Sequence, residues 1–468
     1  MKKSIAICLV LLLLLSNVTV FAADPAEDAS VSSGCNTIDG AVPYLGVQTS
    51  VKNCQAAILY ETNTDTLMYA QNADTQLPPS SLLKILTALI AIEKGNMSDV
   101  VMVKAETLAT LPSDAVSIDL VAEEVVTVQD LLYGMMVGSG NDAAAVLAEH
   151  IMGSQQAFVD EMNRYAQALG CNATNFTNVH GLHDDDQYTT ARDVVRILTK
   201  AVQNEIFCEI FGEKYYNLPE TNKSETRYLA SQNYLMNNDK VVDYFDERVT
   251  GSRTAVANDR TRSIASVAQA NDMKLICVVM GAESKYEDDG YTVKVFGSYK
   301  ETTELLNLGF TGNKTTQILH SNQTFLQKSV MDGSSDVMLG TNNGVFAVVP
   351  ENINENSLTY RYVNEVPMTA PIDKGQKAAT LQVWLGAVCI AQADLFTMNK
   401  VLPAGSVFGE NTAGAGNIGF IKVLLYLLGG IALVVIVGFG VLYLMRTTYI
   451  VRAKRRSRRN SRNRRRSR

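Results

Sequence analysis

Histidine is scarce in this chain: four residues in 468, His150, His180, His183 and His320. Only His180 and His183 stand close enough to share a cation, with Asp184-Asp185-Asp186 beside them as oxygen donors. An acidic run of this kind is most simply a solvated loop, so no metal and no other cofactor is expected. Of the seven cysteines, none stands where it reads as catalytic. Internal repeats are absent, which excludes a solenoid or propeller.

Long charge-free apolar runs are confined to the two ends. After Lys2-Lys3 the stretch Ile5 to Leu15 is apolar, and Val20-Phe21-Ala22 supplies the small residues of a cleavage site. Residues 1–23 therefore read as a secretory signal peptide cut after Ala22 or Ala23. Val423 to Met445 is 23 residues without a charge, long enough to cross a bilayer, and residues 419–445 are expected to form a transmembrane helix. The tail, 446–468, holds 12 Lys or Arg and no acid. An excess of cations beside a span marks the cytoplasmic side, so the expectation is a single-pass cell-membrane protein with its bulk outside. Next to a spanning helix such a tail serves topology rather than nucleic-acid binding. Without signal and tail, 27 basic residues face 48 acidic ones, a net charge near −21, which excludes nucleic acid as a partner of the exported part. Export permits disulfides: Cys35 with Cys54 is the expected pair, while Cys277 and Cys389, in apolar strand-like runs, read as buried thiols.

Three short stretches carry chemistry. The first is Ser81-Leu82-Leu83-Lys84. Pro78-Pro79 cannot continue a helix from upstream, and Ser80 or Ser81 can cap one that starts here. The run Leu82, Leu83, Ile85, Leu86, Leu89, Ile90, Ile92 is apolar nearly all round, so that helix should be buried. Ser81 and Lys84, three apart, share a face. A serine hydroxyl becomes a nucleophile when a nearby base takes its proton, and a lysine buried among apolar groups gives up its own proton and can be that base. Alone, the pair reads equally well as a capping serine and a snorkelling lysine.

The second stretch, Ser139-Gly140-Asn141, follows a capping box at Thr127-Val128-Gln129-Asp130 and a short helix, and precedes another helix. Polar side chains on a glycine-flanked turn can point into a cleft, where a hydroxyl relays a proton and an amide holds a carbonyl. By itself the stretch is also an ordinary helix-to-helix turn with Asn141 as cap. The third is Arg253-Thr254-Ala255, within Val249-Thr250-Gly251-Ser252-Arg253-Thr254-Ala255.

In this order the three resemble S-x-x-K, S-x-N and K-T-G, the signature set of active-site serine enzymes that act on penicillins and D-alanyl peptides. Over roughly residues 45 to 400 the chain resembles serine-type D-alanyl-D-alanine carboxypeptidases, the low-molecular-mass penicillin-binding proteins. Leu131-Leu132-Tyr133-Gly134, Asn178-Val179-His180-Gly181-Leu182, Tyr188-Thr189-Thr190-Ala191 and Leu305-Leu306-Asn307-Leu308-Gly309-Phe310 carry the likeness further. The resemblance implies that Ser81 attacks the carbonyl between two D-alanines, with Lys84 as general base. Ser139, hydrogen-bonded to Lys84, would pass the proton to the leaving amine. Asn141, Arg253, Thr254 and Val256 would bind substrate, with the N–H groups of Ser81 and Val256 forming the oxyanion hole. Peptidoglycan stem peptides are then the substrate and β-lactams the inhibitors.

Two departures stand out. Arg253 replaces the family's lysine: it keeps the charge and can grip a carboxylate, but it cannot give up its proton. Ala255 replaces glycine and adds a methyl group to the cleft. An arginine that such enzymes place seven residues before the Leu305-Leu306 pair, to receive the substrate's carboxylate, is Ser298 here, leaving Arg253, Lys300 or Lys294 to compensate. An active carboxypeptidase is the leading reading. A fold-intact homologue that binds peptidoglycan or penicillin with little turnover is the alternative, and a β-lactamase is third.

The expected architecture is α/β (α+β). A loose acidic segment, 24–45, precedes a catalytic domain with a central antiparallel sheet at 46–312. A small all-β domain follows at 315–400, predicted as a β-sandwich from strands such as Val345-Phe346-Ala347-Val348-Val349 and Leu381-Gln382-Val383-Trp384-Leu385, and then a linker, 401–418, before the span.

Overall fold

The computed structural model describes residues 51–405, except 240–242, 257–259 and 290–291, together with 37–39 and 43–45. The expected signal peptide, spanning segment and basic tail lie outside the described residues. Among the described residues no helix is long and apolar enough to cross a membrane. The chain divides into two compact units: residues up to Thr324 with Gly340–Val366 and Lys377–Phe396, and Phe325–Leu339 with Pro367–Gln376 and the chain from Thr397.

In the first unit the order is β1 (Ala56–Glu61), β2 (Thr66–Gln71), α1 (Lys84–Lys94), β3 (Val100–Met102), α2 (Ala105–Leu108), β4 (Val125–Thr127), α3 (Val128–Met136), α4 (Asn141–Met152), α5 (Gln155–Ala168), α6 (Ala191–Ala201) and α7 (Glu205–Gly212). Then come β5 (Tyr215–Leu218), β6 (Arg227–Ala230), β7 (Val249–Val256), β8 (Thr261–Ala270), β9 (Met273–Glu283), β10 (Lys285–Tyr286), β11 (Val293–Val295) and α8 (Gly297–Phe310). The main sheet runs β2-β1-β9-β8-β7, every pairing antiparallel.

Strands buried on both faces read as unbroken apolar runs, and β1 and β9 are such strands. Successive side chains alternate between the faces. Ile58, Tyr60, Ile276 and Val278 join one apolar cluster with the helices α1 and α3 to α7, while Ala57, Leu59, Leu275 and Cys277 join a second with Leu305, Leu306 and Phe310 of α8. The sheet is thus a middle layer between one helix and many. β7 lies at its edge, and that edge is packed against the turn Ser80–Leu83.

In the same unit β12 (Asn313–Leu319) pairs with β15 (Val345–Pro350), and β17 (Lys377–Leu385) pairs with both β16 (Leu358–Val363) and β18 (Val388–Thr397), all antiparallel. The second unit holds β13 (Thr324–Lys328, from Phe325 on), most of β14 (Val337–Gly340) and bridges joining Met331 to Thr369, Ile372 to Val401 and Gly333 to Pro403.

Two cysteine expectations are corrected. Cys54 carries a free thiol, so the Cys35–Cys54 disulfide does not form; Cys35 itself lies outside the described residues. Nearness in sequence was no guide, because Cys54 is drawn into the sheet: Gln55 N donates to Met280 O at 3.0 Å. Cys389 is disulfide-bonded rather than a buried thiol, whereas Cys277 is free and fully buried as expected.

The capping box is present. The Thr127 hydroxyl accepts from Asp130 N at 3.1 Å and Thr127 N donates to Asp130 Oδ2 at 3.0 Å. Thr127→Ala should therefore lower stability by about 1 kcal/mol, the usual cost of a lost N-cap. Thermal unfolding of the variant checks this; an unchanged midpoint would mean that packing alone holds α3.

Candidate active site

Ser81 sits on a tight turn rather than on the helix proper. Ser80–Leu83 forms a single 3-10 turn behind Pro79, and α1 begins only at Lys84. No serine side chain caps either element, which corrects the capping expected of Ser80 or Ser81. Ser80 takes a left-handed φ of +46°, costly for a residue with a side chain. Its carbonyl lies close against Gly181, at φ +90°, where a Cβ would fall 2.2 Å from Ser80 O and 2.9 Å from Ser81 N. Only glycine fits there. Ser81 is half-buried, and its hydroxyl has no hydrogen-bond partner among the described residues, so an incoming carbonyl meets it directly.

Lys84 is wholly buried. Its Nζ donates to Ser139 O and to Asn141 Oδ1, both at 2.7 Å. Burial first, and the charge of Arg253 second, hold the ammonium well below the usual lysine range, against the pull of Asp142. The lowered pKa makes Lys84 a better base than an exposed lysine, and it stands one turn from Ser81.

Ser139 stands at φ +63°, between the end of α3 and the start of α4. The cap of α4 is Gly140, and Asn141 turns its side chain to Lys84 instead of capping. Asp142 is buried and braces the neighbouring loop, accepting from the Ser117 hydroxyl at 2.6 Å and from the N–H groups of Ile118 and Leu120 at 3.1 Å.

Arg253 joins the three stretches. Its Nε donates to Ser81 O at 3.3 Å, Nη1 to Met136 O at 2.7 Å and Nη2 to Ser139 Oγ at 2.8 Å. Met136 is the last residue of α3, where a carbonyl lacks a helical partner and the helix dipole favours a cation. Arg253 is buried, which draws its pKa down to about 10, and it stays charged at neutral pH. The expected hydrogen bond between Ser139 and Lys84 therefore runs through the Ser139 carbonyl, and the hydroxyl belongs to Arg253. Thr254 is half-buried, and Val256, with an exposed side chain, ends the strand. Gly251, at the other end of β7, lies against the Phe211 ring.

The sequence reading missed His180 as part of this centre. It is buried, its Nδ1 accepts from Leu182 N at 3.2 Å, and burial plus the nearby Lys84 push its pKa down to about 4. His183, by contrast, is exposed beside Asp185 at 3.3 Å, so the two imidazoles do not converge on one cation.

Residues 46–284 match the family model described as D-alanyl-D-alanine carboxypeptidase. The chain belongs to this carboxypeptidase family. Residues 314–402 match a second model, Penicillin-binding protein 5, C-terminal domain. The chain is 31% identical to the D-alanyl-D-alanine carboxypeptidase DacA of Haemophilus influenzae over 78% of its own length and 89% of the relative's. It is 30% identical to DacC of Escherichia coli, over 76% and 86%. The solved structure of penicillin binding protein 5 from Haemophilus influenzae superposes with a TM-score of 0.63 at 29% identity, covering 76% of this chain and all of that one. The fold is accordingly that of the penicillin-binding proteins, an α/β catalytic domain with a C-terminal β domain.

His180 gives the centre an acid sensitivity whose sign is fixed. The folded protein keeps it neutral down to about pH 4, while an unfolded histidine takes up its proton near 6.5. Its contribution to stability is complete above pH 6.5 and is lost as pH falls toward 4, roughly 3 kcal/mol in all. Unfolding of the wild type and of His180→Gln at pH 7 and 4.5 should show the variant losing less on acidification; equal losses would remove His180 as the cause.

Proposed function

We propose that this protein is an exported, membrane-anchored carboxypeptidase that removes the terminal D-alanine from peptidoglycan stem pentapeptides through an acyl-enzyme on Ser81. The observation that carries the reading is Lys84: wholly buried one turn from Ser81, bonded to Ser139 O and Asn141 Oδ1, with its proton affinity lowered by burial and by the charge of Arg253.

Lys84 takes the Ser81 proton as Oγ attacks the carbonyl between the last two D-alanines. In this reading the Ser139 hydroxyl, held by Arg253, gives its proton to the leaving amine and takes in exchange the one that Lys84 received from Ser81. N–H groups of Ser81 and Val256 would steady the oxyanion. Asn141, already on Lys84, also offers its amide to the peptide. Water then releases the tetrapeptide. A β-lactam acylates the same serine and leaves slowly. Anchoring rests on the charge-free stretch 423–445 and the basic tail behind it, and export on the apolar N-terminus.

The test uses the full chain beside Ser81→Ala, with a fluorescent penicillin and a peptide ending in D-Ala-D-Ala. Ser81-dependent labelling with released D-alanine is expected, and Ser81→Ala should lose both by at least about a thousandfold. Labelling without release would make this a penicillin-binding homologue of low turnover.

Arg253 has a separate signature. Its charge lowers the Lys84 pKa, so Arg253→Gln should move the acid limb of kcat/KM to higher pH, whatever it does to the maximum. An unmoved limb would show that Arg253 does not set the protonation of the base.

A further inference from the structure

A carboxypeptidase substrate ends in a carboxylate, and a buried carboxylate needs a cationic partner. This inference therefore rests on the reading above. The partner must lie within a side chain's reach of the outer end of β7, because the terminal carboxylate sits only one residue beyond the carbonyl that Ser81 attacks.

The cations suggested by the sequence do not meet that need. Arg253 is buried, with Nε, Nη1 and Nη2 already on Ser81 O, Met136 O and Ser139 Oγ. Ser298, at the position of the family's arginine, is buried on α8 and has no charge to offer. Lys300 pairs with Glu304 at 3.5 Å, and Lys294 with Glu287 at 3.4 Å, both on the surface.

Arg262 does meet it. On β8 it stands directly opposite Val256, with Thr254 opposite the next-but-one residue, Ile264. Residues paired across antiparallel strands share a face, so Arg262 and Thr254 are diagonal neighbours on one face, about 7–8 Å apart at the backbone and well within an arginine's reach. The Arg262 guanidinium is stacked over the Phe296 ring, 5.2 Å from its centroid, at the residue that precedes α8. Stacking fixes the plane of the fork and leaves its N–H edges open. The side chain is half-buried, and its guanidinium makes no hydrogen bond or ion pair among the described residues. Thr254 and Arg262 also meet at one point, Tyr299: the Thr254 hydroxyl bonds its phenol, and the charge of Arg262 acts on it, although burial pushes that phenol up to about 12.

We propose that Arg262 receives the terminal carboxylate of the substrate, supplying from strand β8 the charge that helix α8 lacks at Ser298. Thr254 is its diagonal neighbour on the same face. Arg262 is in this account a substrate-binding and specificity-determining residue, separate from the proton-transfer groups.

The test compares a peptide ending in D-Ala-D-Ala with the same peptide as its C-terminal amide, on the full chain, for wild type, Arg262→Gln and Arg262→Lys. A charge-assisted bond of about 1.5–3 kcal/mol corresponds to a preference for the acid of roughly 10- to 100-fold. The wild type should show that preference. Arg262→Gln should lose it through KM, with the amide cleaved within about twofold of wild type, and Arg262→Lys should restore part of it. An Arg262→Gln protein that keeps the preference overturns the proposal, as does one that loses both substrates equally, which would mean a structural role. If the wild type releases D-alanine but never prefers the acid, Arg262 is again excluded while the carboxypeptidase stands. If the wild type cleaves neither peptide, the carboxypeptidase reading falls first and this assignment with it.

Discussion

One guanidinium holds the catalytic centre together. Through Arg253 the edge strand of the sheet is bonded to the turn that carries Ser81, to the last carbonyl of α3 and to the hydroxyl of Ser139. These three segments are distant in sequence and approach each other only because β7 is left at the sheet edge. A lysine ammonium would have to reach all three acceptors from one point; the planar fork of arginine reaches each from a different nitrogen. The substitution that looked like damage at the lysine position serves as a brace.

The brace has an electrostatic consequence. Two basic groups share one buried centre, with Asp142 as the nearby anion. Arginine is the one that stays protonated, so lysine is the one that gives way. The same field reaches His180, which remains neutral far below its ordinary range. Polar groups of the centre are satisfied: Lys84 by a backbone carbonyl and an amide oxygen, Asp142 by a hydroxyl and three backbone amides. The charge is balanced by position and not by a direct ion pair.

Much of this was legible in advance. The central antiparallel sheet was implied by the family resemblance, and the Thr127/Asp130 capping box fixed the start of α3. The order of Ser81-Leu82-Leu83-Lys84, Ser139-Gly140-Asn141 and Arg253-Thr254-Ala255 named the site. What misled was short-range inference. Cys35 and Cys54 are near in sequence, yet Cys54 is a free thiol just before the interior strand β1. Ser139 and Lys84 were expected to meet through a hydroxyl, and they meet through a carbonyl because the left-handed backbone at Ser139 turns that oxygen inward.

The sequence by itself determined the elements and the inventory: which runs are strands, where helices begin, and which serine, lysine and arginine carry the chemistry. These follow from local periodicity and residue type, which neighbours three or four positions away can set. Only the tertiary structure decided the partners. Arg253 is committed to three acceptors, His180 stands beside Lys84, and Arg262, across from Val256 on β8, lies over the Phe296 ring. Each depends on strand register and on the packing of segments tens to hundreds of residues apart, and no local pattern encodes those distances.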